Sequence, residues 1–163
     1  MFQQATAFAT VSAQLHRTGL QTAPRNPLYA APFVVNAAFA AELYLKTLSL
    51  KHGKAPLHDH KLVKLFDALP SAALEDLDTA IGALNCSPGI SDRKSLRLAI
   101  SGFSSAFENW RYIYERSDSD PIRVAELIFV VRVLHTACLP VAKTHVEADT
   151  AVEVVPVGMR LQF

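Results

Sequence analysis

Helical spacing dominates the pattern of apolar and polar positions. Gln3 to Arg17 is alanine-rich, and Phe8, Val11 and Leu15 stand three and four apart on one predicted face, with Gly19 as a stop. "QTAPRNPLYAAP" carries three prolines and reads as an irregular connector. A second helix is predicted from about Pro32 to Lys51 or His52, ending at Gly53. It is apolar nearly all round, which makes it the central helix. After the loop "KHGKAPLH", "DHKLVKLFDAL" predicts a short helix with Leu62, Leu65, Phe66 and Leu69 inward. Ser71 is placed to cap a further short helix through Leu84, with Leu74, Leu77 and Ile81 as its buried face. "NCSPGI" is a turn cluster.

Ser91 is placed to cap the next helix. Leu96, Ile100, Phe103, Phe107 and Trp110 recur at three- and four-residue steps, and the stripe continues to Tyr114 before "RSDSD" interrupts it. Asp120 and Pro121 form an N-cap and first-turn proline for a last long helix, Pro121 to Leu139. Its "LIFVVRVL" implies burial, and Pro140 limits it. The end of the chain, "AVEVVPVGMRLQF", is β-prone but interrupted by Pro156 and Gly158, which predicts an extended tail. The expectation is a compact all-α helical bundle over residues 1–150, with long buried antiparallel helices, short helices in the connectors, and an extended C-terminal tail over 151–163.

Composition narrows the function classes. A chain of 163 residues, half of them hydrophobic and only 19% charged, builds one domain with a real core and is too apolar for a disordered chain. A formal net charge of +1 gives no global polyanion-binding signature, so any nucleic-acid contact must be a local patch. Cys86 and Cys138 fit no metal-ligand spacing and read as small buried thiols in a reducing compartment. The N-terminus lacks the basic start and long apolar core of a signal peptide. Only Glu42 and Lys46, one turn apart, interrupt the apolar run from Pro27 to Leu50. Each would cost about 2.5–3.5 kcal/mol at the centre of a bilayer, so a central helix of a soluble, cytoplasmic bundle explains the run better than a span.

Three stretches carry candidate chemistry. In "HDH", His58 to His60, residues two apart diverge by about 200° on a helix, so joint metal ligation needs a turn, and no HExxH or second Cys/His pair accompanies it. The plainer reading is a helix start: Asp59 caps and His60 lies in the first turn, where it can face the long helix. No metal and no cofactor is expected. In "NAAFAAELYLK", Asn36, Glu42 and Lys46 are polar groups on a helix expected to be buried; they form either an internal hydrogen-bond network or the lining of a pocket between helices. In "AFENWRYIYERSD", Glu108, Arg111 and Glu115 share one strip beside Tyr112 and the aromatic stripe. Arg111 is either an ion-paired strut or an arginine held for a phosphate.

In the order and spacing of "NAAFAAELYLKTL", "HKLVKLFDALP" and "FENWRYIYE", the chain resembles HEPN-domain proteins, from about Pro32 to Leu139. His60, Leu62, Leu65 and Phe66 match an H-x-L-x-x-L-F pattern of related sequences. The resemblance implies a small helical bundle, a homodimer, and a toxin–antitoxin or defence setting with RNA or a nucleotide as ligand and an antitoxin protein as partner. Catalytic members carry an Arg followed by four to six residues and a His. Here Arg111 stands in the matching region, but Arg116, Ser117 and Asp118 occupy the places of the His. Two expectations follow. One is a non-catalytic binding module with Asn36, Glu42, Lys46, His60, Arg111, Tyr112 and Glu115 around a polar pocket. The other is a divergent metal-independent endoribonuclease using Arg111 and His60.

Overall fold

The most apolar stretch of the sequence becomes the axis around which the other helices pack. In a computed structural model that describes residues 1–84, 89–104 and 123–148, this axis is α2, Ala30–Lys51. Before it come α1, Phe2–Leu15, and after it α3, Leu62–Asp67, α4, Ser71–Leu84, and α5, Arg93–Phe103; Val124–Ala148 forms the last helix, α6. Among the described residues there is no strand, so the all-α expectation holds. Arg111, Tyr112 and Glu115, the Asp120–Pro121 helix start, Cys86 and the tail 151–163 lie outside the described residues.

Helix α2 packs on α1, α3, α4 and α6. Phe33, Tyr44, Leu45 and Leu48 are fully inaccessible, and burial of side chains of this size contributes roughly 1.5–3 kcal/mol each. By length and composition alone the helical stretch Pro27–Lys51 would also suit a membrane span, yet 56% of its most apolar window is buried by protein.

The face that α1 turns to α2 is not the predicted one. Ala5, Ala9 and Ala13 are buried, at i, i+4 and i+8, while Phe8 and Leu15 are only partly covered and Val11 is 46% exposed. Small residues suit close packing of the two helices: α2 also buries Ala37, Ala38, Ala40 and Ala41, and small side chains let helices approach closely. Ser12 seals one end by donating to the Phe33 carbonyl at 3.1 Å. The larger rings pack along the flank, where Phe8 meets Phe39 edge-on at 4.6 Å.

Gly19 does not stop α1. The helix widens into a π-helical turn, His16–Gln21, and Tyr29 lies so close that a Cβ on Gly19 would sit 2.2 Å from its Cγ. Gly19 is therefore a packing glycine. Gly53, by contrast, takes φ +70 just after α2, the left-handed conformation that ends helices. All four inward residues predicted for the α3 segment are buried, as are Leu77 and Ile81 of α4, with Leu74 only partly covered. For α5 the cap is Asp92 rather than Ser91, because Asp92 and Ser95 form a reciprocal capping box.

Pro140 does not limit the last helix either; α6 runs through it to Ala148. Proline supplies no N–H, so the Thr136 carbonyl loses its intrahelical donor. The neighbouring carbonyl is supported from outside, where Lys51 Nζ donates to Ala137 O at 3.2 Å. Upstream, Leu127, Val130, Val131 and Leu134 bury the helix against the rest of the core, which outweighs the local defect.

Candidate functional site

The expected meeting of the long helix and the histidine loop takes place at one oxygen. Glu42 Oε1 accepts from Lys46 Nζ at 2.7 Å and pairs with His60 Nδ1 at 3.0 Å. The Glu42 side chain is 6% exposed, that of Lys46 15% and that of His60 73%. The sequence arranges this locally. Glu42 and Lys46 are one turn apart on α2, the spacing at which such pairs form. Asp59 then fixes the approach of His60: its carboxylate accepts the backbone N–H groups of His60 and Lys61, each at 2.8 Å, and the Lys64 ammonium at 2.9 Å. The Lys64 bond first, and the Lys61 amide next, hold the Asp59 pKa down to about 2.

Asn36 does not join this cluster. Its Nδ2 donates to the Pro32 carbonyl of its own helix at 2.7 Å. Glu42, Lys46 and His60 are thus brought together, Asn36 is kept apart, and the placement of Arg111, Tyr112 and Glu115 is outside the described residues. Among the described residues no group of three or more His, Cys, Asp and Glu side chains is arranged to hold a metal; His58 takes no part in the Glu42 cluster.

Two further polar clusters escaped the sequence reading. At the end of α2, Lys51 Nζ and His52 Nε2 both reach Asp76 Oδ2 on α4, at 2.7 and 2.9 Å. Burial alone would raise the Asp76 pKa, but the Lys51 and His52 hydrogen bonds pull it below the ordinary value. Beside Asp76, a cleft of about 100 Å³ opens between α4 and α6, lined by Thr79, Ala80, Ala83, Thr136 and Ala137. That is space for a few water molecules.

The other cluster is inside the core. Tyr44 Oη lies 2.9 Å from His135 Nδ1 and donates to Thr6 Oγ1 at 3.2 Å, and Phe2 stacks on the His135 ring at 5.6 Å. Burial pushes the Tyr44 hydroxyl pKa up, against a smaller opposing effect of Thr6, and lowers that of His135. Both groups stay neutral, as a structural pair should. Cys138 is buried too, its thiol pKa raised by burial, which makes it an inert packing residue. The only sequence signal for these contacts was polarity at a buried helical position, which names no partner.

Comparison of the chain with protein-family models, with characterised proteins and with solved structures gave no match.

Proposed function

We propose that the chain is a HEPN-like binding module, cytoplasmic and homodimeric, that takes a nucleotide or RNA ligand and works without the Arg-x4-6-His ribonuclease motif. One observation carries this reading: an exposed imidazole, His60, and an ammonium, Lys46, are held on a single oxygen of the buried Glu42. A cationic group beside an accessible ring, fixed by a carboxylate that cannot leave, suits an anionic, base-bearing ligand. The contact also joins "NAAFAAELYLKTL" to "HKLVKLFDALP", two of the stretches on which the resemblance rests. The near-neutral net charge fits a local site rather than a broad polyanion surface. An antitoxin-like protein remains the partner implied by the resemblance.

Nucleotide-dependent melting and mobility shifts against RNA pools test the proposal. The expected result is a ligand-induced rise in Tm that Lys46→Ala and His60→Ala abolish; no response to any nucleotide or RNA at millimolar concentration removes it.

A second reading, a divergent metal-independent endoribonuclease, is favoured by the orientation of His60. A ring held at Nδ1 by a carboxylate is the arrangement of a general base. RNA cleavage in EDTA, lost in both His60→Ala and Arg111→Ala, would support it. Cleavage that persists in His60→Ala would exclude it.

A further inference from the structure

The direction of the proton on His60 defines what the site can bind. Glu42 Oε1 already accepts from the Lys46 ammonium at 2.7 Å. An ionised carboxylate only accepts, so the 3.0 Å contact with His60 Nδ1 requires the ring to donate from that nitrogen. The neutral ring therefore carries its proton on Nδ1, facing Glu42. Nε2, on the far side of a side chain that is 73% exposed, then holds a lone pair and has no protein partner among the described residues. A lone pair repels a phosphate oxygen; an N–H attracts it. Charge points the same way. Glu42 and Lys46 cancel, so the cluster is neutral with a neutral ring and carries one positive charge with a protonated one.

We propose that Glu42, Lys46 and His60 form a proton-linked site for a phosphate-bearing ligand. His60 takes up one proton on Nε2 as the ligand binds and donates it to a phosphate oxygen, Lys46 adds its remaining N–H donors, and Glu42 is the positioning residue that fixes the ring. The proposal rests on the binding-module reading above and adds the ligand's contacting group and its regulation by pH. The other charged groups facing the ring are spoken for: Asp59 is engaged by the His60 and Lys61 amides and by Lys64, and Glu42 and Lys46 face it from α2. The remaining neighbours in the loop, His58 and Lys61, stand on the same short segment.

The test is calorimetric titration of the full chain with adenosine 5′-monophosphate, with adenosine as control, from pH 7 to 8.5, above the second phosphate ionisation at about 6. Uptake of one proton predicts a Kd that weakens by up to about tenfold per pH unit. In His60→Gln the binding that remains should lose this slope. Long-range nitrogen-15 NMR of the free protein gives an independent readout: the Nδ1–H tautomer in the wild type, shifted towards Nε2–H in Glu42→Gln, with circular dichroism to verify folding. A Kd that does not change with pH, or a slope that survives in His60→Gln, overturns the proton-linked site and leaves the binding module standing. An Nε2–H tautomer in the wild type also overturns it. Failure of the nucleotide to bind at any pH removes the site and the proposed function together.

Discussion

Tyr44 and His135, 91 positions apart, meet through a 2.9 Å hydrogen bond that ties α2 to α6 inside the core. The phenol is the buried partner of the histidine nitrogen and also donates to Thr6. Tyr44→Phe leaves His135 Nδ1 without its partner and should cost about 1–3 kcal/mol of unfolding free energy in urea titrations. A change within experimental error would show that the nitrogen finds water instead.

The same histidine makes stability depend on pH. Burial lowers the pKa of His135 and of His16 in the fold, whereas the unfolded chain has the ordinary value of about 6.5. The unfolded state therefore binds protons first as the solution is acidified. Stability is complete above about pH 6.5 and falls as the pH drops from there towards the lowered folded values. Denaturant midpoints at pH 5, 6, 7 and 8 measure this. Stability that is flat or rising down to pH 5 would contradict it, and His135→Gln should remove part of the slope.

Removal of Glu42 should be felt more strongly than removal of His60. Glu42→Ala strands the 15%-exposed Lys46, and loss of a hydrogen bond to a charged group costs about 1.5–3 kcal/mol. His60→Ala should cost less than about 1 kcal/mol, because its side chain is 73% exposed. A structural role limited to stability predicts that order with no change in ligand response. A binding role predicts that His60→Ala loses ligand while keeping its Tm.

Gly19→Ala should destabilise the molecule by about 1–3 kcal/mol through overpacking, since its Cβ would fall 2.2 Å from Tyr29 Cγ and 2.6 Å from Tyr29 Cβ. The penalty should shrink in a Tyr29→Ala background. A double-mutant cycle with no coupling between the two positions would refute this contact as the cause.

Pro140→Ala should do the reverse. It returns an N–H to the Thr136 carbonyl within α6, and a proline inside a helix costs up to about 3 kcal/mol against alanine. A rise in Tm is expected; a fall would mean that the break is needed by the packing around it.

Much of the helix inventory was legible in the sequence, for reasons local to each segment. Leu62, Leu65, Phe66 and Leu69 announced α3 by spacing, and Glu42 with Lys46 announced an intrahelical pair. The site was legible only in part. That an imidazole at His60 would need a partner on the long helix could be read from its position, but that the partner is Glu42 is fixed by the loop and by Asp59. The misses share another cause. Pro140 and Gly19 carry strong local stop signals, which burial of α6 and the packing of Tyr29 override. The pairs Tyr44–His135 and His52–Asp76 join separate helices, and periodicity along one helix says nothing of its neighbour. Asn36, polar and central by position, simply bonds back to its own helix.

The alanine seam between α1 and α2 has a consequence for how the chain tolerates change. Alanine has no rotamers to freeze, so its share of this contact costs no side-chain conformational entropy. What the alanines add is dispersion, which falls off steeply with separation. Ala5 and Ala9, among the least conspicuous residues of α1, sit fully buried in the core cluster, and each added methylene there would act as a wedge against its neighbours.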